Sequence, residues 1–181
     1  MKNIAFCGVL MAGAIAAASP ASAQVTYDMS RVSCSDYQAM SPGDQRDFAA
    51  WTSGWFNGKQ NKTEINFKIF ASNVANVHKW CASNKTALIL PAIEKSVREA
   101  KAGAAGPASI DVALVTCASA MKGDPEAHFI VSAWVGGYLA SKRNDPKLDV
   151  RYFVRNQKAI ETACAKSAKA PFLKTAQTIW K

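Results

Sequence analysis

Residues 48–59 read FAAWTSGWFNGK, and residues 131–142 read VSAWVGGYLASK. Each places an aromatic ring four residues after a tryptophan, with a glycine just before the ring and a lysine four residues beyond it. Phe48, Trp51, Thr52, Trp55 and Phe56 recur at i, i+3, i+4, i+7 and i+8, as do Val131, Trp134, Val135, Tyr138 and Leu139. That spacing lays one apolar stripe along one face of an α-helix. The stretch predicts an amphipathic helix, and its recurrence predicts a fold written twice.

A shift of 83 residues superposes more than these two helices. Cys34, Pro42, Ala50, Trp51, Gly54, Lys59, Asn61, Phe70, Asn73 and Cys81 meet identical residues. Their partners are Cys117, Pro125, Ala133, Trp134, Gly137, Lys142, Asn144, Phe153, Asn156 and Cys164. Average composition would give roughly three such matches over this span. Similar residues fill further positions, among them Ile65/Leu148, Lys68/Arg151 and Val77/Ile160. The chain reads as a tandem duplication, with units at 24–98 and 111–181 and a joint at 99–110 (EAKAGAAGPASI).

Each copy reads as helical throughout. Ser41-Pro42-Gly43-Asp44 has the form of a capping box with proline at the first helical position, and Gly123-Asp124-Pro125-Glu126 repeats the punctuation. Ser33 and Asp36 form a further cap pair ahead of a short turn that holds Cys34. A second helix carries Phe67, Phe70, Val74, Val77 and Cys81, matched by Val150, Phe153, Val154, Ile160 and Cys164. A third is expected after each second cysteine, near 88–100 and 171–180, with Pro91 and Pro171 in the first turns. Gly54, Gly58, Gly136 and Gly137 lower helix propensity, so they serve either close packing or helix ends near residues 59 and 142. There is little β signal. The fold class is all-α: two tandem small helical bundles.

Residues 1–23, MKNIAFCGVLMAGAIAAASPASA, have the layout of a secretory signal peptide cut after Ala23. The apolar run is short and alanine-rich, and no second span follows, so no integral membrane span is expected. Beyond it lie Cys34, Cys81, Cys117 and Cys164. Four cysteines allow three connectivities; the matched spacing favours Cys34–Cys81 and Cys117–Cys164, one bridge within each unit. Zinc would need close pairs such as CxxC, which the sequence lacks. Each bridge would close a loop worth roughly 4 kcal/mol in the chain-entropy model. The formal charge of +9 falls to +8 without Lys2, yet no Lys/Arg run exceeds two residues. An exported chain with that pattern and no binding motif is not expected to take nucleic acid.

The stretch SCSDYQAMSPGDQRDFAAWTSGWFNGK, closing with KWCASNKTALILPAIEKSV, resembles the HdeA/HdeB acid-stress chaperones of the bacterial periplasm. The likeness lies in a cysteine-acidic-aromatic start (Cys34, Asp36, Tyr37), an aromatic helix (Trp51, Trp55) and a closing cysteine. The second copy keeps Cys117, Trp134 and Cys164 but has Ser119 and Ala120 where the first has Asp36 and Tyr37. The resemblance implies small helical units with one disulfide each, packed as a pseudo-dimer within the chain. It also implies an ATP-independent hold on unfolded periplasmic proteins once acid loosens the fold. Trp51, Trp55, Phe56, Trp134, Tyr138 and Leu139 would then be the client-binding surface. Near pH 2–3 the 13 carboxylates are largely protonated, and charge climbs towards +23 with both histidines counted.

Two other functional classes bear on the sequence. A folded immunity or inhibitor protein, aimed at a cell-wall-directed enzyme, would need fixed anchors. Lys59-Gln60-Asn61-Lys62 and Lys142-Arg143-Asn144-Asp145 are the candidate loops, and they read equally well as solvated loops. For an enzyme the chain is poor in means. His78 and His128 are its two histidines, neither lies in HExxH, and there is no GxSxG elbow or glycine-rich phosphate loop. No catalytic residue, cofactor or metal ligand is expected.

Overall fold

The computed structural model describes residues 26–99, 109–122 and 124–180. The predicted leader and most of the predicted joint lie outside them. The chain runs β1 (Thr26–Asp28), α1 (Cys34–Ala39), α2 (Pro42–Lys59), β2 (Glu64–Asn66), α3 (Phe67–Ser83) and α4 (Ile89–Glu99). The same order then repeats as β3 (Ser109–Asp111), α5 (Cys117–Met121), α6 (Pro125–Arg143), β4 (Lys147–Asp149), α7 (Val150–Lys166) and α8 (Phe172–Ile179).

Local chemistry sets the helix starts. Ser33 caps α1 in a complete capping box: its hydroxyl accepts from the Asp36 N–H, and the Asp36 carboxylate accepts from the Ser33 N–H. Ser41 caps α2 by accepting from the Asp44 N–H, with Pro42 at the first position, where its missing donor costs nothing. Asn66 and Asp149 cap α3 and α7 in the same way. Thr116 caps α5 through the Ser119 N–H, so this second-copy cap carries no carboxylate. Asn61 and Asn144, just past α2 and α6, adopt φ of 57° and 55°, a left-handed turn that asparagine tolerates better than most residues.

Both disulfides pair as the spacing indicated, Cys34 with Cys81 and Cys117 with Cys164. Each joins the short first helix of a unit to the end of its long third-position helix, α3 or α7. The main chain repeats the pattern: Cys34 N–H donates to Ala87 and Cys117 N–H to Ala170, both at 2.8 Å.

The helical reading stands, with two additions. Among the described residues there are four three-residue strands, where little β structure was expected. They pair across the units: β1 with β4 and β2 with β3, both antiparallel. Ser109 and Ile110, inside the stretch read as a joint, belong to one of these ribbons. The units are also interleaved rather than merely adjacent. One core gathers Ala50 and Ile65 of the first copy with Trp134, Val135 and Phe172 of the second, and the other core takes Ala140 of the second copy.

Candidate functional site

The two quoted stretches meet at the centre of the molecule, where α2 and α6 make the most extensive helix–helix contact among the described residues. Two glycines permit it. A Cβ on Gly54 would fall inside the carbonyl of Trp134, and a Cβ on Gly137 inside the carbonyl of Trp51. These clashes are images of one another under the 83-residue shift, so a pseudo-two-fold axis passes through the crossing. A Cβ on Gly58 would likewise collide with Ser141 and the Tyr138 carbonyl. Gly54 and Gly137 serve close packing from inside their helices, Gly58 does so from the last turn of α2, and the two helices end at Lys59 and Arg143, near where ends were expected.

The aromatic stripes flank the crossing. Trp51 stacks on Trp55 with ring centroids 5.5 Å apart, and Trp134 on Tyr138 at 5.3 Å. Of the six side chains assigned to client contact, Trp51, Trp55, Trp134, Tyr138 and Leu139 are buried, and Phe56 is half-buried. In the folded state they are seam and core. Helix α6 also carries a polar cost: Trp134 Nε1 and Ser132 Oγ are buried without a hydrogen-bond partner. Each such group costs roughly 1–3 kcal/mol of desolvation.

The Lys/Asn segments at the helix ends cross the seam rather than standing free. Lys59 Nζ donates to Asn144 Oδ1, while Lys142 Nζ donates to Asn61 Oδ1 and to the Gly58 carbonyl, both at 2.6 Å. Each ammonium also lies over a ring of its own stripe, Lys59 over Trp55 at 4.9 Å and Lys142 over Tyr138 at 4.8 Å. Sequence reading saw these residues as loops and missed their pairing. The signal was present, since Lys59/Lys142 and Asn61/Asn144 are identical across the copies.

Asp28 and Asp36 are held below the usual carboxylate range, chiefly by side-chain hydrogen bonds from Ser30 and Ser33 respectively. Burial pushes the Tyr37 phenol up. His78 is exposed on α3 and His128 half-buried on α6. Among the described residues no cluster of three His, Cys, Asp or Glu side chains is placed to hold a metal, and no helix is long and apolar enough to cross a membrane.

Two disulfide-closed helical units, joined back to back through an aromatic seam, define an intramolecular pseudo-dimer of a small helical fold. The HdeA family model, described as HdeA/HdeB family, matches the chain twice, over residues 3–91 and 85–174. The chain belongs to the HdeA/HdeB family and carries two copies of its unit. Comparisons with curated proteins and with solved structures returned no match.

Proposed function

We propose that this protein is a periplasmic, ATP-independent acid-stress chaperone. Its client surface is the α2–α6 seam, exposed when acid drives the two units apart. One observation carries the reading: in a chain of this family, two stacked ring pairs, Trp51–Trp55 and Trp134–Tyr138, flank the close glycine crossing of two pseudo-equivalent helices. Parting those helices uncovers Trp51, Trp55, Trp134 and Tyr138 together, while each disulfide keeps its own unit compact.

Acid supplies the force. Protonating the 13 carboxylates leaves a chain with 22 Lys and Arg, or 21 after loss of Lys2, whose mutual repulsion strains a small bundle. Lys59 and Lys142 donate to asparagine amides, which do not titrate, so the crossed hydrogen bonds are not themselves the proton switch. The chain is read as non-enzymatic. The inhibitor reading is the weaker one, because the Lys/Asn loops that would anchor an enzyme are already engaged across the seam.

The test compares near-UV and far-UV circular dichroism, bis-ANS fluorescence and suppression of client aggregation at pH 7 and pH 2.5. The reading expects loss of the tryptophan near-UV signal, gain of bis-ANS binding and protection of an acid-denatured client at pH 2.5 alone. An unchanged near-UV spectrum together with no protection would overturn it.

A further inference from the structure

Helices α3 and α7 are images of one another under the 83-residue shift, and they agree where they are buried. Val77 and Cys81 of α3 stand where α7 buries Ile160 and Cys164. Their solvent faces diverge. At the exposed positions Lys68, Ser72 and Ala75 of α3, α7 carries Arg151, Arg155 and Lys158, all exposed. Val154, where α3 has Ala71, is 53% exposed, and Val150 opens the same face at 36%. At 3.6 residues per turn, positions 150, 151, 154, 155 and 158 fall within an arc of about 140°. That arc lies opposite the buried Phe153, Asn156 and Ile160.

Three cations thus stand where the first copy has one. Because the buried faces match, packing of the unit does not call for the exchange. Nor does the helix itself, since valine is a poorer helix former than the alanine at the equivalent place. The carboxylates of this element are turned to other uses: Asp149 caps α7 by accepting from the Tyr152 N–H, and Glu161 is half-buried one turn beyond Lys158. Lys147, ahead of the helix in β4, faces Asp28 across the ribbon and is not counted in the strip. The Arg155 guanidinium lies over the Tyr152 ring at 5.1 Å. Tyr27, 42% exposed, continues the apolar part of the face, for it shares a concave wall with Val150.

We propose that the solvent face of α7 is a peripheral docking surface for an anionic phospholipid bilayer, in use while the protein is folded at neutral pH. Charge complementarity selects an anionic partner. Arg151 and Arg155 present guanidinium groups, whose forked donors match phosphate oxygens, and Lys158 adds a point charge. The formal net charge of +9 draws the chain towards such a surface from a distance. The exposed valines and Tyr27 select a bilayer over a soluble polyanion, because a bilayer offers an apolar phase directly beneath its phosphates. With α7 in the headgroup plane, the cations meet phosphates while Val150 and Val154 enter the acyl boundary. Each cation near an anionic membrane strengthens binding about fivefold, so the three together supply roughly a hundredfold. The surface is exposed with the α2–α6 seam closed, so this docking does not depend on the acid-opened form.

The test is co-sedimentation of the full chain at pH 7 and low salt with vesicles of phosphatidylcholine containing about one-third phosphatidylglycerol, against vesicles of phosphatidylcholine alone. Binding to the anionic vesicles at least tenfold stronger than to the neutral ones, and weakened by salt, is expected. Combined Arg151→Gln, Arg155→Gln and Lys158→Gln should lower it at least tenfold with an unchanged near-UV spectrum. Lys68→Gln, Lys79→Gln and Lys85→Gln, which remove as much charge from exposed positions of the first copy, should lower it by less than about threefold. Val154→Gln should weaken vesicle binding by about threefold and leave any binding of soluble polyglutamate unchanged. Ser72→Arg with Ala75→Lys, which copies the cations onto α3, should strengthen vesicle binding and provides a reading that does not rest on loss. Absence of vesicle binding would overturn the proposal, and so would equal loss in the two triple variants, which would show net charge alone at work. Polyglutamate bound as tightly as the vesicles, with Val154→Gln without effect on either, would make the partner a soluble acidic chain and overturn it as well.

Discussion

Gly54 and Gly137 are the residues on which the molecule turns, since each lies under a partner carbonyl with no room for a methyl group. Gly43, in the first turn of α2, is different: the nearest atom to an added Cβ is 3.8 Å away, an ordinary contact. Two Gly→Ala changes in one helix should therefore have opposite signs. G54A must push the backbones apart and is expected to cost about 3 kcal/mol, at the upper end of overpacking penalties. G43A gains helix propensity and loses unfolded-state entropy, and is expected to stabilise by up to about 1 kcal/mol. Urea unfolding of both variants at pH 7 checks this, and equal destabilisation would refute the crossing geometry. The glycines were legible in the sequence only as a choice between close packing and helix termination. Their role depends on which backbone lies opposite, and a single helix does not encode its neighbour.

At the scale of elements, the long helices and both bridges could be read directly, because a repeated apolar stripe at helical spacing and a repeated cysteine spacing are strong signals. The strands could not. Segments such as TYD and KLD are too short to show alternation, and they become strands only because the other unit supplies a partner. The duplicated caps carry a further consequence. In α1 the Ser33 hydrogen bonds hold Asp36 below its ordinary range, so the folded pKa is depressed. That contribution is fully present above the unfolded value near 3.9 and is lost as pH falls through the lower folded value. In α5 the corresponding pair is Thr116 and Ser119, which does not titrate. Hydrogen exchange at pH 6 and pH 2.5, corrected for intrinsic rates, should show α1 amides losing protection relative to α5. Equal loss in both helices would show that the Asp36 cap plays no part in acid loosening.

For the whole molecule, the duplication changes what kind of event opening can be. A seam between separate subunits strengthens with protein concentration, whereas a seam within one chain has a fixed effective concentration, about millimolar for a short flexible connection. The described contacts bind the two copies at three levels: the glycine crossing, the exchanged ribbons, and the crossed Lys–Asn hydrogen bonds. None of these is diluted when the protein is. Opening is then unimolecular and can be reversed without a search for a partner, while the two bridges limit each unit's expansion. The thermal midpoint at pH 7 should therefore shift by less than about 1 °C across a hundredfold change in protein concentration. A separable dimer of similar size would shift by about 8 °C, from roughly 2.7 kcal/mol of mass action and the entropy of unfolding a domain of this length. Differential scanning calorimetry measures this directly, and the midpoint of acid-induced loss of the near-UV signal should be equally insensitive to dilution. A midpoint that climbs with concentration would mean that the stable seam lies between chains, and the intramolecular pseudo-dimer would have to be abandoned.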